Sequence, residues 1–163
     1  MQYLMTKIRP IEKVDLEILK AVIDSNELFP PGLLDGMTDD FFRNPQSQDI
    51  WLTAQVGDKP VSIAYCAPER MTEGTYNLYL IAVHKDCQGK RIGSRMMAYI
   101  ENLLRSKGAR ILIVETSGLP GFRQTREFYE RLGYSREAVI RDFYEDGDDK
   151  VVFWKKLGCR NEN

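Results

Sequence analysis

The chain has 163 residues and 18.9 kDa, enough for one domain of ~100–200 residues with its own core. Hydrophobic residues make up 43% and charged residues 29%, which argues against a disordered chain. Lys plus Arg is 23 and Asp plus Glu is 24, so the net charge is −1 and no basic footprint points to nucleic acid or an anionic membrane.

No apolar run approaches the ~20 residues of a membrane helix. The opening MQYLMTKIRPIEK carries charges where a signal peptide has its apolar core. Three cysteines (Cys66, Cys87, Cys159) form no C-x-x-C pair, and His84 is the only histidine. That leaves few zinc ligands. A reduced, cytoplasmic protein without a metal is expected.

Residues 4–11 read as a first strand. Asp15 is placed to cap a helix whose apolar positions Ile18, Leu19, Val22 and Ile23 share one face. Pro30, Pro31 and Gly32 end that region, and a second helical piece covers 33–42. Residues 50–56 and 61–67 read as strands joined by Gly57-Asp58-Lys59-Pro60. A β-rich apolar strand covers 76–83. A loop rich in glycine and charge follows over 85–93.

Met96, Met97, Ile100, Leu103 and Leu104 mark a helical stripe that ends before Gly108. Residues 110–115 hold a short buried strand. Phe128, Tyr129 and Leu132 mark one more helix, stopped by Gly133. Two last strands, 137–144 and 150–157, flank the turn at Asp146-Gly147. The pattern is a mixed α/β or α+β domain, with Pro60 and Pro120 outside its sheet.

The stretch that carries chemistry is Val83-His84-Lys85-Asp86-Cys87-Gln88-Gly89-Lys90-Arg91-Ile92-Gly93-Ser94. A strand ends, a glycine-containing loop follows, and a helix begins. That construction offers free backbone N–H groups and the positive end of a helix dipole to an anion. Neither the Walker loop nor the dinucleotide fingerprint is present.

The segment resembles the acyl-CoA signature of the GNAT superfamily of N-acetyltransferases, Q/R-x-x-G-x-G/A after a strand. Gln88-Gly89-Lys90-Arg91-Ile92-Gly93 matches its first and last positions, and Ile81-Ala82-Val83 is the apolar approach. Downstream, Phe128-Tyr129-Glu130-Arg131-Leu132-Gly133-Tyr134 resembles the family's F-Y-x-x-x-G-F/Y segment. Glu115-Thr116-Ser117 and the run from Asp142 to Lys150 also resemble bacterial members. The likeness covers about 76–157. Arg91 stands where the signature has its first glycine. At φ > 0 an arginine costs about 1–2 kcal/mol, so its backbone is expected to stay in the ordinary regions. Phe122 stands where many members carry an asparagine.

The resemblance implies a single N-acetyltransferase domain over 1–163. Its acyl-CoA core covers about 76–134 and its C-terminal hairpin about 137–157. A mostly antiparallel, twisted central sheet would carry two splayed parallel strands, with helices on both faces. It implies that acetyl-CoA is the acetyl donor, leaving as CoA, with no metal. The pantetheine arm would add to unpaired backbone of Ile81 and Val83 like a strand. The pyrophosphate would sit on amides of Gln88, Gly89, Lys90, Arg91, Ile92, Gly93 and Ser94. A primary amine, small molecule or peptide, would attack directly. Tyr129 is matched to the family's acid, with a free phenol near ~10 suited to a thiol leaving group. Glu115 is the candidate base, acting through a water. Asn77 occupies the position where histone-type members carry a glutamate, which counts against that mechanism.

Other chemistry-bearing residues have plainer readings. His84 reads as a surface or supporting residue rather than a catalyst, and Cys87 as a small packing residue rather than an activated nucleophile. Asp142, Glu145, Asp146, Asp148 and Asp149 read as a solvated turn. Trp51, Phe41, Phe42 and Phe29-Pro30-Pro31 read as core packing rather than an acceptor pocket. The rival functions are a non-catalytic acyl-CoA sensor and a plain interaction domain. Homodimers occur often in the family, so one is compatible with this chain.

Overall fold

The structure is a computed structural model and describes residues 5–158. In chain order its elements are β1 (Thr6–Pro10), α1 (Leu16–Ser25), α2 (Leu33–Arg43), β2 (Ile50–Val56), β3 (Lys59–Pro60) and β4 (Ser62–Pro68). Then follow β5 (Thr75–Val83), α3 (Ile92–Ser106), β6 (Ile111–Ser117), α4 (Arg123–Arg131), β7 (Ser135–Glu145) and β8 (Asp148–Lys156). The strands hydrogen-bond in the order β1-β2-β4-β5-β6-β8-β7, with β3 on β2. β1 with β2, β2 with β3 and with β4, β6 with β8 and β7 with β8 pair antiparallel, and β5 with β6 pairs parallel. This is the expected mixed α/β fold. Among the described residues no helix is long and apolar enough to cross a membrane.

The chain forms two compact units. One holds the residues up to Ala67 together with Leu80–Ile100, and the other holds Pro68–Tyr79 and the residues from Glu101 on.

In the first unit, β1 pairs with β2 from Thr6↔Val56 to Pro10↔Leu52. The turn after β2 uses Gly57 at φ 62. Pro60 lies inside β3, opposite Gln55, and not outside the sheet. The two-residue strand sits off the main strand path, where a missing N–H costs little. Leu19, Val22 and Ile23 of α1 are buried against Trp51, Ile63 and Leu34, while Ile18 is exposed. The apolar face is thus narrower than the sequence pattern. Trp51 stacks on its cross-strand neighbour Tyr65 at 4.2 Å. Phe29, Phe41 and Phe42 pack against the same core. Asp15 precedes α1 but makes no side-chain cap bond to it, and closes the capping box of the short 3-10 turn Lys13–Asp15 instead. Its carboxylate accepts bonds from Arg9 at 2.7 and 3.0 Å and from the Glu12 N–H at 2.7 Å. The Arg9 hydrogen bond holds the Asp15 carboxyl below its usual range.

In the second unit, β6 takes β5 on one side and β8 on the other. The parallel register runs from Thr75↔Ile111 to Leu78↔Val114. The antiparallel register runs from Ile111↔Lys156 to Ser117↔Lys150. A buried polar knot secures this unit. Glu101 accepts from Tyr134 Oη at 2.8 Å and from Lys155 Nζ at 2.9 Å, and Lys155 also donates to the Leu132 carbonyl. Gly133, at φ 86, ends the turn that follows α4.

Candidate active site

The loop between β5 and α3 lies wholly in the first unit. Residues 88–91 are exposed, and buried Ile92 pins the helix start beneath them. Arg95 N–H donates to the Arg91 carbonyl at 3.1 Å. The amides of Ile92, Gly93 and Ser94 therefore have no partner within the helix. Gly89 stands at φ 77, and a Cβ there would meet nothing within 4 Å. The loop is open, carries Lys85, Lys90, Arg91 and Arg95, and leads into helix N-terminal amides that no carbonyl of the helix accepts. Residues of this kind in this arrangement fit the diphosphate of a CoA thioester.

Arg91 corrects an expectation. Its φ is 62, in the left-handed region, and not in the ordinary regions expected for an arginine. The position keeps the conformation a glycine would favour and bears the strain. Gln88 is also more specific than a phosphate contact. Its side-chain amide donates to the Val83 carbonyl at 3.1 Å and to Asn26 Oδ1 at 2.9 Å. Asn26 Nδ2 donates to the same Val83 carbonyl at 2.9 Å and to the Val22 carbonyl at 2.9 Å. The Val83 carbonyl thus already holds two amides. Asn26 was not singled out from the sequence. Its only signal is its place as the residue after α1.

His84 shapes the turn. Its N–H donates to the Val61 carbonyl at 2.8 Å, and its Nδ1 accepts from the Asp86 N–H at 3.2 Å. Cys87 is half-buried and free, whereas burial pushes the Cys66 thiol up to about 12. Cys159 lies outside the described residues.

The two proton-transfer candidates lie in the second unit. Tyr129 is buried, its ring packed on Phe128, Tyr134 and Phe153 at 5.3–5.8 Å between centroids. Burial pushes its phenol well above the ordinary value of about 10. The match to a thiol that the free value offered is therefore lost, while the proton is held firmly. Glu115 is half-buried on β6. Its Oε2 sits 3.0 Å from Lys150 Nζ on the neighbouring strand β8. Lys150 is itself buried, with its ammonium 3.8 Å from the centre of the Phe143 ring.

The turn read as solvated is partly buried. Asp148 accepts a short hydrogen bond from the Ser117 hydroxyl, and both residues are buried. Ser117 Oγ in turn accepts from the Leu119 N–H at 3.0 Å. Asp149 accepts from the Asp142 N–H, and Asp142 from the Gly147 N–H. The Glu115 and Asp148 charges, after burial, help push the Tyr144 phenol up. Sequence reading missed Lys150 because its partner is 35 positions away and only the β6–β8 register unites them. Asn77 is buried and donates to Glu69 Oε1 at 2.7 Å, while its own Oδ1 has no partner.

Comparison with known proteins points one way. The model of the acetyltransferase (GNAT) family matches residues 19–134, well over half of the chain. An uncharacterized N-acetyltransferase of Methanocaldococcus jannaschii is 30% identical over 89 residues, 53% of this chain and 54% of that protein. The matched segment thus spans about half the length of that relative. The crystal structure of a Desulfovibrio desulfuricans protein assigned to the GNAT family superposes with a TM-score of 0.88. That likeness has 30% identity over 94% of this chain and 100% of the other. An aminoglycoside 6'-N-acetyltransferase complexed with coenzyme A superposes with a TM-score of 0.75. At 17% identity over 94% of this chain and 98% of the other, it shows the fold alone. The chain belongs to the GNAT family of acetyltransferases.

Proposed function

We propose that the chain is a cytoplasmic N-acetyltransferase that moves acetyl from acetyl-CoA to a primary amine by direct attack. The observation that carries this reading is the open loop over 83–94. Its left-handed Gly89 and Arg91 lead into free amides at the start of α3. In this reading the amides from Gln88 to Ser94 hold the diphosphate, with Lys90 and Arg91 beside it. The N–H groups of Ile81 and Val83 hold the pantetheine arm. Acetyl-CoA, when bound, supplies an acyl thioester open to attack by an amine.

Tyr129 keeps its proton at neutral pH and donates it, as a hydrogen bond, to the departing thiolate. A phenol raised by burial suits that role better than full proton release. Glu115 takes the ammonium's proton through a water, while Lys150 fixes the carboxylate's direction. As the C–N bond forms and the C–S bond breaks, the proton the attacking nitrogen then sheds ends on the departing sulfur, so CoA leaves as its thiol.

Thermal unfolding with acetyl-CoA, CoA and ATP tests the reading. A ligand at 100 times its Kd stabilises by about 2.7 kcal/mol. For a domain near this size that raises Tm by roughly 5–10 °C. Acetyl-CoA and CoA should both raise it, and ATP should not. No rise at millimolar acetyl-CoA would end the transferase reading. A rise opens an amine panel read by thiol release, which identifies the acceptor.

A further inference from the structure

Where α3 ends, β6 begins and β8 ends, a cavity of about 660 Å³ opens in the second unit. Sites for small ligands run from about 300 to 1,000 Å³. Its apolar wall includes Ile111 and the half-buried ring of Trp154. Arg105, Arg110 and Lys156 line it as well, and among the described residues no carboxylate does. A Cβ on Gly108 or Gly158 would meet nothing within 4 Å, so both of these lining glycines border open space. Ile111 stands four residues before Glu115 on β6, about 13 Å along the strand. The cavity is therefore separate from the carboxylate read as the base.

The three cations are not equal. Arg105 Nε donates to the Leu157 carbonyl at 2.6 Å and Nη1 to Asn102 Oδ1 at 3.0 Å, so that side chain is committed to the fold. Its Nη2 also stands 3.6 Å from Glu101. Arg110 uses only Nε, on the Glu73 carbonyl at 2.8 Å. Its two terminal nitrogens and the Lys156 ammonium have no partner among the described residues, and both residues are exposed. The paired terminal nitrogens of a guanidinium fit the two oxygens of a carboxylate. The carbonyl end of α3 opposes an anion with about half a charge, which the two free cations exceed. Lys156 lies two residues from Trp154 on β8, so both project from one face of that strand. No ring stacks on Trp154 among the described residues, which leaves the indole for a flat ligand.

We propose that this cavity binds a small aromatic carboxylate, with its ring on Trp154 and its carboxylate held by Arg110 and Lys156. The site does not depend on the transferase reading. Naphthoate is the test ligand, and naphthamide is its uncharged control. The chain has two tryptophans, so the proton–nitrogen NMR spectrum of the full chain holds two indole N–H peaks. Trp154→Phe assigns them by removing one. Trp51 is fully buried in the first unit and serves as the internal reference. Naphthoate should move the Trp154 peak with a Kd of about 0.1–1 mM, ordinary for a ligand of that size, and leave Trp51 still. Lys156→Gln and Arg110→Gln should each raise that Kd about fivefold, the upper range for an exposed charge pair. Naphthamide loses both pairs and should bind at least about tenfold more weakly than naphthoate, equally in all three proteins. Thermal melts check that the variants fold. A Trp154 peak that stays still at about 10 mM naphthoate, ten times the weakest expected Kd, overturns the proposal. So does a shift of Trp51 alone, naphthamide binding as tightly as naphthoate, or a Kd indifferent to both substitutions. None of these outcomes alters the melting test with acetyl-CoA, so the two readings fail separately.

Discussion

The loop after β5 and the pair β6/β8 hold their chemistry in place by different means. The loop relies on neutral amides and backbone conformation. Two side-chain amides, from Asn26 and Gln88, close on the Val83 carbonyl, and Gly89 and Arg91 turn left-handed. Strands β6 and β8 rely on charge. Lys150 meets Glu115 at 3.0 Å, and Lys155 on β8 meets Glu101 at 2.9 Å. A neutral bond lost in the loop costs about 1 kcal/mol. A buried charge left without its partner costs about 3–5 kcal/mol. The loop is therefore soft to substitution in stability, and the strand pair is not.

Glu101→Ala should have the largest effect. It removes the only carboxylate in the knot of Tyr134 and Lys155, and leaves a partly buried ammonium behind. Lys155 keeps some exposure, so the loss should sit near the lower end, about 3 kcal/mol. Scanning calorimetry should show Tm falling by roughly 6–12 °C. A fall under 2 °C would mean that the charges of the second unit are screened, and that the contrast with the loop is false.

Tyr129→Phe should come next, and in rate rather than stability. The ring contacts with Phe128, Tyr134 and Phe153 survive the change. Turnover should drop about 100-fold, near the lower limit for one proton-transfer group. Acetyl-CoA affinity should hold. Burial raises the phenol, so its proton stays on as pH rises from 7 to 10, and the wild-type rate should not fall over that range through Tyr129. Unchanged turnover at saturating substrate would remove Tyr129 from the mechanism.

The same contrast explains what the sequence made legible. Strand β2 was readable to the residue, and the loop was readable through Gln88, Gly89 and Gly93, because each is a local demand. Glycines mark conformations that a short window states by itself. The hairpin charges were not readable. Asp148 looks like a turn acid until the fold brings the Ser117 hydroxyl to it across 31 positions. Lys150 looks like a surface lysine until β8 lies beside Glu115. The Arg91 expectation failed for another reason. Residue type predicts φ only when nothing else dictates it, and here the turn into α3 does.

Asn26→Ala and Gln88→Ala should each lower stability by about 1 kcal/mol, and the pair by less than the sum, since both hold the Val83 carbonyl. Acetyl-CoA affinity is the sharper readout. Either change loosens the loop that presents the amides, so Kd should rise severalfold while Tm falls by only about 2–4 °C. Should Kd stay fixed while Tm falls, the struts would serve the fold alone.

Arg91→Gly should have the smallest effect on stability, and its sign is informative. At φ 62 an arginine carries about 1–2 kcal/mol of strain that a glycine does not. Glycine also frees the unfolded chain, which takes back about 0.4–1 kcal/mol. The variant should therefore be more stable by about 0.5 kcal/mol, a rise in Tm of 1–2 °C by the usual scaling. Losing the cation beside the free amides acts the other way on ligand, so Kd for acetyl-CoA should rise while Tm rises. Stability up with affinity down would show that Arg91 is kept against backbone preference for its charge. Stability and affinity rising together would leave its strain without a function in the loop.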